Sequence, residues 1–298
     1  MTRRLLAAVA ATALLVAGCA QGKAGTPIPD GDEAAGYVSA KFTDTLEKLH
    51  DDFQGMPPRK ATLDKTFLIN GEGVSTQIST VQIGSPPAEL VRNHAKDNLN
   101  DSIDYLHPAG EKITYALLGP MYTSLAPTPW VSMPAEFATG ELGACATGTY
   151  IAACKMVNAM VNATKNYKAA KVAKRLADGS VELEVDITFR TFLEFKIEQF
   201  PDELIAKFTD EMMNNLVKTK ISLTPQMKAR QIEMTSKFNG KSKIDKDVQI
   251  DVHYLFQIIE GATEKDIPAI PDAAQVTALP DQAAVDDFNR RKGEAQGR

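Results

Sequence analysis

Two cysteines nine positions apart, Cys145 and Cys154, are the residues of this chain best placed for covalent chemistry. In a chain that leaves the cytoplasm, as the N-terminus indicates, such a pair reads as a disulfide. It would close the ACATGTYIAAC loop and stabilise the fold by roughly 2.5 kcal/mol in the chain-entropy picture. The rival reading, a metal or redox pair, lacks partners: the spacing is not CxxC and no histidine is near. His50, His94, His107 and His253 are scattered, with no HxxxH or HExxH, and read as solvated or locally bonded side chains. Glu182, Glu184 and Asp186 recur at every second position, which places them on one strand face about 7 Å apart. Paired carboxylates can do acid–base work, but these lack a facing partner and read as a wet surface. Asn70-Gly71-Glu72-Gly73 has no phosphate-cradle spacing, and no GxSxG elbow or dinucleotide fingerprint occurs. No enzyme, cofactor or metal site is expected, and a hydrolase built from scattered residues is the least favoured of three functional readings.

The N-terminus carries a sharper signal. Thr2-Arg3-Arg4 is a short basic region, and Leu5–Val16 is an apolar run too short to span a bilayer but of signal h-region length. Val16-Ala17-Gly18-Cys19 then leads small residues into a cysteine, which looks like a bacterial lipobox. That likeness implies cleavage before Cys19, diacylglyceryl attachment to its sulfur and anchoring on the outer face of the cell membrane. An ordinary secretory signal with an incidental cysteine is the bland alternative. Residues 1–18 are therefore set aside as a lipoprotein signal peptide, and 19–36, rich in Gly, Pro, Ala and Asp, read as a flexible tether. The net charge of −5 becomes more negative once Arg3 and Arg4 are removed, and no basic, aromatic-interleaved patch appears. Nucleic acid is therefore not an expected partner.

The elements that must position any site come from periodicity. Tyr37–Phe53 spaces Val38, Phe42, Leu46, Leu49 and Phe53 as an amphipathic helix. Thr62–Asn70 and Gly73–Ile83 read as strands, and Pro86–Asp104 as a helix or long loop. Lys112–Leu118 and Met121–Leu125 read as a strand pair, residues 134–150 as a loop, and Ala152–Ala163 as a short helix. After a strand near Ala170–Leu176, the stretch Val181–Phe195 alternates apolar and polar residues and predicts one very long strand. Pro201–Lys218 predicts a helix. Ile221–Leu223, Arg230–Phe238 and Asp247–Ile259 predict a closing antiparallel set. The tail from Pro280 to Arg298 reads as disordered and polar. The whole is α+β: a large curved antiparallel sheet, with residues 37–279 as a single domain.

This arrangement resembles the actinobacterial lipoproteins of the LprG and LppX type, related in fold to the lipoprotein carrier LolA. The likeness rests on the lipobox at Val16–Cys19, the first helix, and the short strand pair ending in Pro129-Trp130. It rests also on Val181–Leu223 and on the closing run Ile267-Pro268-Ala269-Ile270-Pro271-Asp272. The chain departs from the pattern in the Pro86–Asp104 and Pro134–Cys154 insertions, the long 201–218 segment and the cysteine pair. The resemblance implies a half-barrel with helices on its concave face and lipid or lipoglycan acyl chains held between them, carried across the envelope. The pocket would draw on Val185, Ile187, Phe189, Met212, Ile232, Met234, Ile250, Val252, Tyr254 and Phe256, with methionines adapting to an irregular guest. A dry core formed by the same faces is the alternative. It would leave a membrane-anchored accessory protein that binds an envelope enzyme or transporter.

Overall fold

The computed structural model describes residues 42–49, 59–138, 145, 148–166, 170–259 and 261–297. The expected lipid-attachment residue Cys19, the signal segment 1–18 and the tether 19–36 lie outside the described residues.

Helix α1 covers 42–49, the described part of the helix expected over Tyr37–Phe53. Strands β1 (Arg59–Ile69) and β2 (Glu72–Ile83) form a hairpin about Asn70 and Gly71, both at positive φ. Glycine is required two residues later, because a Cβ on Gly73 would lie 2.2 Å from the Phe67 carbonyl oxygen. Strands β3 (Ala88–Ala95), β4 (Ser102–His107), β5 (Ile113–Leu118) and β6 (Trp130–Pro134) follow, each antiparallel to the one before. Helices α2 (Ala135–Ala138) and α3 (Gly148–Asn166) lead to β7 (Lys171–Arg175), β8 (Val181–Val185) and β9 (Ile187–Thr188). Three short helices, α4 (Phe189–Glu194), α5 (Asp202–Ile205) and α6 (Asp210–Met213), precede β10 (Leu216–Leu223), β11 (Ala229–Lys241) and β12 (Asp247–Ile259). The described chain ends with β13 (Val276–Ala278), parallel to β6, and helix α7 (Gln282–Ala295).

The strands form one 13-stranded sheet ordered β13-β6-β5-β4-β3-β2-β1-β12-β11-β10-β8-β7, with β9 joined to β10. The two ends of that order do not pair, so the sheet is unclosed. The right-handed twist accumulated over so many strands curves it. Register keeps one face apolar through its middle: Leu63 stands opposite Phe256, Phe67 opposite Val252, Ile232 opposite Phe256 and Ile221 opposite Leu183. Helices α1, α3, α4 and α6 contribute Phe42, Leu46, Met156, Met160, Phe192 and Met212 to the core laid on that face. This is the expected α+β plan, with helices on the concave side.

Four expectations are corrected. The stretch Val181–Phe195 is not one strand: pairing stops after Thr188, whose hydroxyl accepts the Thr191 N–H and starts helix α4. Pro86–Asp104 is neither helix nor loop but β3, a turn and the start of β4. The helix expected over Pro201–Lys218 is two single turns, the second capped by Thr209, followed by β10. The tail from Pro280 is not structureless in its described part: Asp281 accepts the Ala284 N–H and starts α7, which buries Val285 and Phe288. Two apolar residues spaced three apart give one buried face to a helix whose other positions are charged, polar or small, and Arg291 adds a hydrogen bond to the Ser124 carbonyl. On a smaller scale, Met121–Leu125 lies in a 3₁₀ turn region that begins at Pro120 rather than in a strand. The expected Cys145–Cys154 disulfide is present, with the Cα atoms 5.8 Å apart.

Candidate functional site

The ten side chains expected to line a pocket come together on the concave face. Val185, Ile187, Ile232, Met234, Ile250, Val252, Tyr254 and Phe256 rise from strands, and Phe189 and Met212 descend from α4 and α6. All are at most 1% exposed. They meet side chains of the helical cover, above all an aromatic cluster. Phe67 of β1 lies 6.1 Å from Phe189, 6.0 Å from Phe192 and 4.5 Å from Phe200, centroid to centroid. Phe189 in turn makes edge contacts with Phe208 and Phe238.

A short polar tie holds this cover to the sheet. Lys65 points inward in phase with Leu63 and Phe67, and its Nζ donates to Glu198 Oε2 over 3.0 Å. Tyr254, directly opposite Lys65 on β12, donates its hydroxyl to the same oxygen. Burial and the neighbouring carboxylate push the Tyr254 phenol well above its ordinary value, so it stays a donor. Nearby, Lys155 of α3 donates to the Lys196 carbonyl at 2.8 Å, and burial lowers its pKa. Glu198 thus collects one buried hydroxyl and one ammonium from two adjacent strands.

Beside the tie, the concave face opens into a groove of about 210 Å³ across β1 to β4, bounded by Glu198 on one side and by Lys292 and Gln296 near the end of α7 on the other. Its floor carries Lys65, Asn93, Asp101 and Tyr105. Gln296 Nε2 donates to the Tyr122 hydroxyl at 2.6 Å, and Tyr122 donates to Asp101, which fixes the far wall. This groove is polar, while the packed region adjoining it is apolar and aromatic. An amphiphile is the ligand chemistry that matches both.

A buried polar row crosses the same face towards the other end of the strands. Arg59, Gln82, Glu89 and His107 stand side by side on four adjacent strands, and His107 Nδ1 lies 3.3 Å from Thr114 Oγ1 on a fifth. Arg59 Nε donates to Gln82 Oε1 at 2.9 Å, and Gln82 donates to Glu89. The Arg59 guanidinium also sits 3.6 Å from the ring centroid of Tyr150, whose phenol burial pushes up to about 12. The start of α3 is docked on this row: a Cβ on Gly148 would meet Thr80 Oγ1 at 2.1 Å, and Thr149 N–H donates to that hydroxyl at 2.9 Å.

Burial holds the His107 pKa below its ordinary value, opposed by a hydrogen bond from the ring to the Ile113 backbone and by the Glu111 carboxylate. Between that lowered value and about 6.5 the unfolded chain binds a proton that the folded chain refuses, so the His107 contribution to stability rises with pH across this window and levels off above it. His107→Gln should flatten that part of the curve. Urea midpoints measured for both chains at about pH 5 and about pH 7.5 check this. Equal slopes for the two chains would remove His107 from the account.

Sequence reasoning found the apolar face and missed the polar features. Lys65 left a signal, a lysine on the apolar phase of β1. Glu198 left none. Glu89 and His107 lay within or beside the stretch read as helix or loop. Among the described residues, no group of three potential metal ligands comes together and no helix is long and apolar enough to cross a membrane.

No protein-family model matches the chain, and no curated protein matches its sequence. Solved structures do align with it. Mycobacterium tuberculosis lipoprotein LppX covers 78% of this chain and 99% of its own length, at 8% identity and a TM-score of 0.37. LprF from Mycobacterium bovis covers 78% and 97%, at 10% identity and the same TM-score, 0.37. A DUF1329 family protein from Desulfovibrio piger covers 75% and 92%, at 6% identity and a TM-score of 0.23. The expected likeness to LppX-type lipoproteins is thus present in the alignments, at low TM-scores.

Proposed function

We propose that this chain is an envelope lipoprotein, anchored through Cys19, that binds the acyl chains of a lipid or lipoglycan between sheet and helical cover and carries them across the envelope. One observation carries the reading: beside the 19-residue α3, the part of the apolar face around Phe189 and Met212 is closed by helices of only four to six residues, α4, α5 and α6. Helices that short have no stability of their own. They stay in place through phenylalanine and methionine packing and through the Glu198 tie. Such a cover can lift as a unit, and every methylene that replaces it against the sheet is worth about 0.8 kcal/mol. The adjoining polar groove suits the headgroup end of the same molecule. Val185, Ile187, Phe189, Met212, Ile232, Met234, Ile250, Val252, Tyr254 and Phe256 would then be the contact surface of the guest, as the sequence led us to expect.

The closed state of those ten side chains favours the rival reading, in which the core stays dry and the protein acts as an anchored partner of an envelope enzyme or transporter. One experiment separates the two. Delipidated full chain is titrated with a fluorescent fatty acid, and non-denatured chain is weighed by mass spectrometry for co-purifying lipid. Saturable uptake and a lipid adduct are expected. Clean spectra and no uptake sink the carrier reading, and a captured partner that persists when the concave face is mutated would then support the rival.

A further inference from the structure

The hairpin of β11 and β12 runs past both of its neighbours. β1 last pairs with it at Ile250 and β10 first pairs with it at Thr235, so its tip stands clear of the sheet. The tip sequence is Lys241-Ser242-Lys243-Ile244-Asp245-Lys246, with Ile244 62% exposed at its crest. This is not a loose loop. Ser242 N–H donates to Lys246 O at 2.9 Å, Asp245 N–H to Ser242 O at 2.9 Å, and Lys243 N–H to Lys207 O at 2.9 Å, which fastens the tip to the segment between α5 and α6. Asp245 takes a positive φ to make the turn. A β-branched apolar side chain is thus held out in water by a rigid turn.

Charge surrounds it unevenly. Lys241 pairs with Asp247 at 2.9 Å and lies 3.8 Å from Asp245, which offsets part of the acidic charge of the tip. Lys207, Lys243 and Lys246 are exposed and form no ion pair among the described residues. Two of these lysines flank the exposed isoleucine in the turn and the third lies on the segment fastened to it, and they stand out on a chain of net charge −5. We propose that this tip docks on a bilayer surface bearing anionic phospholipid, with Ile244 entering the interface and Lys207, Lys243 and Lys246 meeting phosphates. Leu99 makes the contrast: it is 86% exposed in the β3–β4 turn but flanked by Asp97 and Asp101, so the same surface repels it. The inference is independent of whether the concave face holds a lipid.

The test puts an environment-sensitive fluorophore at the tip. The full chain with Cys19→Ser and Ile244→Cys is labelled and mixed with vesicles of phosphatidylcholine or of phosphatidylglycerol. A blue shift on phosphatidylglycerol alone is expected, together with none for a label at Leu99→Cys and reversal by salt. Each of Lys207→Gln, Lys243→Gln and Lys246→Gln should raise the vesicle concentration for half-maximal shift about five-fold, and all three on the order of a hundred-fold. Absence of a shift overturns the proposal. So does an equal shift on phosphatidylcholine or at Leu99, and so does indifference to the three substitutions.

Discussion

Phe192→Ala is expected to lower the unfolding free energy by about 3–5 kcal/mol, the range for removing a buried phenylalanine and leaving a void. Phe192 is fully buried at the centre of the cover, 5.5 Å from the Tyr254 ring and 6.1 Å from Phe189, so there is little to collapse into its place. The melting midpoint should fall by about 10 °C for a protein of this size. The same change makes a second, opposite prediction. A void lined by Phe67, Phe189 and Tyr254 is apolar, and apolar voids stay dry and take apolar guests. Fatty acid added at a hundred times its Kd restores about 2.7 kcal/mol to a chain that binds it. The variant should therefore bind a fluorescent fatty acid more tightly than the native chain and regain part of its midpoint. A loss under about 1 kcal/mol would mean that Phe192 does not fill the space described.

Glu198→Ala comes next in size. It leaves the Lys65 ammonium and the Tyr254 hydroxyl, both turned inward, without their shared acceptor. Breaking a buried pair from one side costs about 3–5 kcal/mol, and since Lys65 keeps 20% of its side chain exposed the lower end, about 3 kcal/mol, applies. Adding Lys65→Met should return part of that loss, because the stranded charge is gone. A double-mutant cycle read from urea midpoints measures the coupling. Hydrogen exchange should show the 195–200 segment opening in the single variant while β11 and β12 stay protected. If the two changes simply add, Glu198 and Lys65 act separately and the tie is not what holds the cover down.

The legible parts of this fold were those where one period ruled. β12 alternates throughout and β11 as far as Met234, before Ser236 and Gly240 break the phase, and the same-face spacing of Ile232, Met234, Ile250, Val252, Tyr254 and Phe256 agrees with their burial. Val181–Phe195 misled because its last residues satisfy two periods at once. Phe189, Thr191 and Leu193 alternate, but Phe189, Phe192 and Leu193 also fall at helical spacing, and the Thr188 cap decided between them. In Pro201–Lys218 the apolar residues kept a helical step across Thr209, where a new cap and then the buried Val217, Thr219 and Ile221 of β10 took over. The β3–β4 hairpin was obscured by its own polarity. Glu89, Asn93 and His107 hold inward positions there, and a pattern that expects apolar residues inside passes over such strands. The polar groove was illegible for the same reason, since its residues meet only through strand order and register.

The inward positions of β2 and β3 also divide the concave face. On one side lies the aromatic core under α3 and α4, and on the other the smaller core in which β5 and β6 meet Val285 and Phe288 of α7. Between them stand Thr80, Gln82 and Glu89, hydrogen-bonded and nearly dehydrated. An alkyl chain pushed across this bulkhead would strip a carboxylate and an amide of their partners at about 1–3 kcal/mol apiece, against about 0.8 gained per methylene. If the concave face holds the proposed guest, the bulkhead would act as a ruler: chains short enough to stop at β1 would be favoured over longer ones, which would have to cross it, fold back or leave their ends in water.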